Sequence, residues 1–145
     1  MSDGLTINVD VQLKDALKQF DEKTVQKMLN TAMVSGGLLI ANEWKRNIEP
    51  HVKTGTYWRS VHVAGHPELT SGFEGEEIPE PSDPLVVEIG TKITEPPYPA
   101  YLEYGTSRGI PPYRLAGRAV DSAGGQALKE IGAAFAQLLA KAVKP

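Results

Sequence analysis

Between Asp21 and about Ile48 the apolar residues Val25, Met28, Leu29, Ala32, Met33, Ile40 and Trp44 return with the 3.6-residue period of a helix. A helix of that length spans about 40 Å and must cover one stripe along all of it. Asp21 is a good N-cap, Asp21 and Glu22 sit at the positive end, and Lys45 and Arg46 sit at the negative end. Pro50 stops it. Gly36-Gly37 interrupts it, at about 1 kcal/mol per glycine against alanine. Two readings follow: close packing of the helix on a sheet, or a hinge. A second period runs from about Tyr113 to Val143, with Leu128, Ile131, Phe135, Leu138 and Leu139 as its stripe and Ala142 extending it. Pro112 suits the first position of that helix. Gly124-Gly125 predicts a bend or break early in it.

The chain between the two helices is not helical in period. Tyr57 to Ala64 and Leu85 to Gly90 read as strands of a long-looped hairpin, and His51 to Thr56 as a loop. Near the start, Leu5 to Val11 alternates apolar and polar, a strand signal, and Leu13, Leu17 and Phe20 mark a short helical piece. The expected fold class is α+β: a small antiparallel or mixed sheet against a long N-terminal helix and a C-terminal helix, in one domain over 1–145. The segment His66 to Pro84 holds Pro67, Pro79, Pro81, Pro84 and six acids, with no lysine or arginine. Such a composition predicts a mobile acidic loop over 66–84. The whole chain carries −3, from 15 basic and 18 acidic residues, so the remainder carries 12 acids against 15 bases, or +3.

The densest stretch is Tyr98 to Ala119. Tyr98, Tyr101 and Tyr104 fall at i, i+3 and i+6, so a short helix sets them roughly on one side. Leu102 and Ala100 then face the body. Gly105 ends that helix, because glycine accepts positive φ. Thr106 to Gly109 reads as an exposed loop, and Pro111-Pro112 stiffens its exit.

Catalytic chemistry finds little to work with. Cysteine is absent, which excludes thiolate nucleophiles, thiolate metal sites and disulfides, and fits a reducing cytoplasm. No Gly-x-Ser-x-Gly elbow or Gly-Lys-Ser/Thr phosphate loop occurs. Ser60 and His62 share a strand face in this reading but lack an orienting acid. His51, His62 and His66 read as surface histidines rather than metal ligands. The N-terminus carries no secretory pattern and no apolar run nears the ~20 residues of a membrane span, so a soluble, intracellularly made domain is expected. The net negative charge gives no overall footprint for nucleic acid. Basic residues Lys45, Arg46, Lys53, Arg59, Arg108, Arg114 and Arg118 nonetheless lie near Tyr57, Trp58 and Tyr113, the residue types enriched at contact surfaces.

Two segments carry a resemblance. Leu102-Glu-Tyr-Gly-Thr106 followed by Pro111-Pro-Tyr-Arg-Leu-Ala116, and upstream His51-Val-Lys-Thr-Gly-Thr-Tyr-Trp-Arg-Ser60, resemble in order and spacing the tail-completion or head–tail joining family of long-tailed bacteriophages. Tyr57-Trp58 stands where that family usually carries leucine, and Leu115-Ala116 where it often has Arg-Pro-Ala. The resemblance implies a non-enzymatic virion or prophage component of the neck, without cofactor or metal, assembled in the host cytoplasm. Its implied partners are further copies of itself in a ring, the head connector and the tail tube, with no membrane and no sequence-specific nucleic acid. The candidate interface residues are Lys53, Tyr57, Trp58, Arg59, Tyr101, Tyr104, Thr106, Arg108, Tyr113 and Arg114. The alternative is a nucleic-acid-binding module that uses the same basic-aromatic residues.

Overall fold

The structure, a computed structural model, describes residues 18–51, 54–93 and 97–143. The expected strand at Leu5–Val11, the helical piece at Leu13 and Leu17, and Lys53 lie outside the described residues. Helix α1 covers Glu22–Ile48, and Asp21 caps it by accepting the Thr24 amide at 2.7 Å. Its end passes into a 3-10 turn, Glu49–His51, around Pro50. Helix α2 follows at Thr56–Ser60, strand β1 at His62–Val63, strand β2 at Ile89–Gly90, helix α3 at Tyr98–Tyr104 and helix α4 at Leu115–Ala142. The strands pair antiparallel, His62 with Gly90 and Val63 with Ile89. The architecture is therefore α+β, with two long helices and a small antiparallel sheet.

Helices α1 and α4 make the largest contact between elements. They run antiparallel: Ala32 packs with Ile131 and Phe135, while Asn47 at the other end of α1 donates to the Leu115 carbonyl at 2.9 Å. The two glycines of α1 fit this packing. A Cβ at Gly36 would lie 2.8 Å from the Ala127 carbonyl, and one at Gly37 would lie 3.2 Å from the Val87 side chain. Gly36 thus admits α4, and Gly37 admits the approach to β2. Helix α1 is continuous through both, in line with the close-packing reading.

Several expectations change. Tyr57 to Ser60 is helix α2 rather than strand, and β1 keeps only two residues. The aromatic residues there raise strand propensity, which tertiary burial overrides. Strand β2 begins at Ile89, because Leu85 and Val86 are exposed and have no face to bury. Helix α4 starts at Leu115, so Pro112 precedes it rather than opening it, and it runs unbroken through Gly124-Gly125. In α3, Leu102 is buried as expected, whereas Ala100 is exposed. Leu128 is exposed and leaves the α4 stripe to Ala127, Ile131, Phe135 and Leu139.

The acidic segment 66–84 contains one 3-10 turn, Pro67–Leu69, and otherwise no regular element. Its backbone is nonetheless tied to the rest of the fold at several points. Side chains from elsewhere hold its backbone. Lys45 Nζ donates to the Ser71 carbonyl at 2.8 Å, and Asn30 Nδ2 donates to the Pro84 carbonyl at 2.7 Å. The Ile78 amide donates to His62 Nε2 at 2.9 Å. The Glu74 amide donates to the Arg59 carbonyl at 3.0 Å. His62 is also not a surface histidine: it is fully buried, with its ring 4.6 Å from that of Phe73. Because Nε2 accepts from Ile78, Nδ1 carries the proton and donates to the Ser60 carbonyl at 2.8 Å.

Candidate interaction site

The Leu-Glu-Tyr-Gly-Thr segment is a joint between α3 and α4. The first amides of α4 need acceptors, and Arg114 at its N-cap, in the left-handed region at φ 51°, supplies none from its side chain. Glu103 supplies them from α3. Its carboxylate accepts the Ala116 amide at 2.8 Å and the Gly117 amide at 3.0 Å. A negative group is favoured at that helix end. Backbone bonds tighten the joint: the Tyr113 amide donates to the Leu102 carbonyl at 2.9 Å, and the Arg114 amide to the Glu103 carbonyl at 3.3 Å.

The loop between has its own closure. Gly105 sits at φ 78°, and a Cβ there would come 2.8 Å from the Ile110 carbonyl. No other residue fits that crossing without strain. Thr106 closes the far side, donating its amide to the Ile110 carbonyl at 2.9 Å and accepting the Ile110 amide on Oγ1 at 3.2 Å.

The upstream signature meets this joint through Tyr57. Its ring lies edge-on to Trp44 at 6.3 Å and to Tyr98 at 6.4 Å, and its hydroxyl accepts Trp44 Nε1 at 2.9 Å. Burial pushes the Tyr57 hydroxyl up to about 12. Leu102, Leu115, Val61 and Ile48 complete the same core. The two signatures, about 45 residues apart in sequence, form one packed unit.

On the outside of that unit lies an open groove of about 420 Å³, lined by Pro50, His51, Tyr98, Leu102, Ile110 and Tyr113 among others. The His51 and Tyr113 rings are 4.3 Å apart along it. From sequence alone His51 reads as a surface histidine. Its place beside Tyr113 depends on the fold, and no local pattern announces it. The same holds for Glu103, whose partners are 13 and 14 residues away.

The described candidate interface residues separate by environment. Tyr57 is 5% exposed and belongs to the core rather than to a contact surface. Thr106 and Tyr113 shape the loop and the groove, while Trp58 lies under the Lys45 ammonium, 3.8 Å from the ring centroid. Trp58 Nε1 is buried without a hydrogen-bond partner among the described residues. Tyr101, Tyr104, Arg108 and Arg114 are exposed, Tyr104 most of all at 80%. Arg59 is turned onto its own loop, donating to the Thr54 carbonyl at 3.3 Å.

Several of the basic residues are engaged locally. Lys45 is buried, and burial lowers its ammonium below the ordinary lysine range. Arg46 pairs with Glu43 at 2.5 Å and Arg114 with Asp121 at 3.5 Å. Ser60, once paired in sequence with His62, donates to the Tyr57 carbonyl at 2.7 Å and shares a hydroxyl contact with Thr91. His62 Nδ1 meets the Ser60 carbonyl, not its hydroxyl, so the two do not form a nucleophile–base pair.

Among the described residues, no group of three or more His, Asp or Glu side chains is placed to hold a metal ion, and no helix is long and apolar enough to cross a membrane. No known protein-family model, curated protein or solved structure matches the chain.

Proposed function

We propose that this chain is a non-enzymatic structural component of the neck of a long-tailed phage or prophage. It completes or joins the tail by assembling with further copies as a ring between head connector and tail tube, and its place is in the virion after assembly in the host cytoplasm. The observation that carries this reading is the meeting of both signature segments in one core, where Tyr57 is buried with Leu102 and Leu115. A unit built this way presents Tyr101, Tyr104 and Arg108 outward, all exposed. Tyrosine and arginine on a rigid support suit a protein contact. The burial of Lys45 and the pairing of Arg46 and Arg114 with nearby acids support this reading over a nucleic-acid-binding module.

The test has two parts. Sequencing the genes beside this one should reveal portal, capsid and tail-tube genes; metabolic neighbours alone would end the proposal. Tyr104→Ala with Arg108→Glu should leave the melting temperature unchanged and abolish incorporation into particles. Normal incorporation would show that this surface is not the contact.

A further inference from the structure

The groove beside Tyr113 and an exposed turn elsewhere on the chain have complementary chemistry. The turn is Asp83 to Val86. Asp83 accepts the Leu85 amide on Oδ1 at 2.9 Å and the Val86 amide on its carbonyl at 3.1 Å. Asn30 holds the Pro84 carbonyl from α1. The turn is therefore built in advance, and little freedom is lost when it docks. It presents Leu85 at 46% exposure and Val86 at 39%, two apolar side chains that its own chain leaves largely uncovered. Asp83 and Glu88 flank them in sequence with exposed carboxylates, while Glu80 pairs with His66 and lines a cleft with Lys23 and Lys27.

The groove offers the matching features. Tyr98, Tyr113, Pro50 and Ile110 give it apolar walls, and the exposed Arg108 stands beside Gly109 on its loop edge. A preformed turn with apolar side chains can seat them in an aromatic-walled groove at small ordering cost. Opposite charges at the rim steer such a contact and fix its orientation.

The turn cannot fill the groove of its own chain. Asn30 anchors the turn on α1, whereas the groove begins just beyond the helix end at Ile48. Those 18 residues of helix separate the two by about 27 Å at 1.5 Å per residue. Two different patches that far apart on one rigid helix suit head-to-tail association, each copy giving its turn and receiving another.

We infer that the Asp83–Val86 turn of one copy docks in the Tyr98–Tyr113 groove of the next, with Asp83 and its acidic neighbours facing Arg108. This rests on the reading of the chain as a self-assembling component and names the surfaces that meet.

Sedimentation velocity over a concentration series tests it on four full-length chains: unsubstituted, Leu85→Glu/Val86→Glu, Asp83→Lys, and Asp83→Lys with Arg108→Asp. Melting temperatures check that each folds. The Leu85/Val86 pair and Asp83→Lys should each raise the midpoint of self-association at least tenfold. The Asp83/Arg108 exchange should recover most of that loss. A peptide of residues 79–86 should perturb the Tyr113 and His51 NMR signals of the unsubstituted chain. Undiminished association of the folded Leu85/Val86 variant would overturn the docking while leaving self-assembly intact. A chain that stays monomeric yet binds the peptide would support the docking and count against the ring. A monomer that ignores the peptide would overturn it.

Discussion

Two connections of this chain, 105–114 and 66–84, are both irregular, yet they are held in opposite ways. The first is held largely by its own chemistry, a glycine at positive φ and a threonine that closes the turn, between two helices that Glu103 of α3 ties together. The second is held largely by residues outside it: Asn30 and Lys45 from α1 and His62 from β1. A connection that carries its own constraints is part of the packed unit. One pinned from outside opens locally when a pin is removed.

That contrast can be broken first at Tyr57. Its ring joins Trp44 to Tyr98 inside the unit, so Tyr57→Ala should cost about 3–5 kcal/mol in denaturant unfolding. A cost under about 1 kcal/mol would mean that the signatures are not packed together. Gly105→Ala comes next. It forces a side chain into positive φ against the Ile110 carbonyl and should cost about 1–3 kcal/mol. Glu103→Ala removes the acceptor of two amides at the start of α4 and should cost about 0.5–2 kcal/mol, as lost caps do.

The loop side should respond differently. Lys45→Met keeps the stem over Trp58 and gives up the bond to Ser71. Because that burial disfavours the ammonium, global stability should change by no more than about 1 kcal/mol. Hydrogen exchange over 71–78 should quicken all the same. Equal exchange in both proteins would show that the loop does not depend on its outside pins.

The smallest effect belongs to the start of α1. The Thr24 backbone amide and then its side chain hold the Asp21 carboxyl below its ordinary 3.8. Its contribution to stability is present above pH 3.8 and lost as pH falls through the lower folded value. Asp21→Asn keeps a cap and should flatten that acid limb, as a pH series of melting temperatures would register.

The same contrast explains what was legible in sequence. Both long helices follow from their period, the first also from its Asp21 cap, and the hairpin pairing from its flanking strand signals. Gly105 and the short helix before it follow from local rules of turn and termination. Residues whose partners lie far along the chain were not legible. The anchors of the acidic segment were not legible, because nothing within it names Lys45, Asn30 or His62. Tyr57 and Trp58 read as strand residues because the propensity of aromatics is local, whereas the core that Tyr57 fills comes from α1 and α3. His62 read as exposed for the same reason. The groove needed the fold, since it joins Pro50 and His51 to Ile110 and Tyr113.

The most direct measurement of the central claim is the sedimentation behaviour of the intact chain as concentration rises, with DNA binding measured in parallel across salt. The account predicts one discrete, closed oligomer at high concentration, and DNA binding that is weak and nearly flat with salt. A monomer at every concentration, with DNA affinity that falls steeply as salt rises, would contradict it.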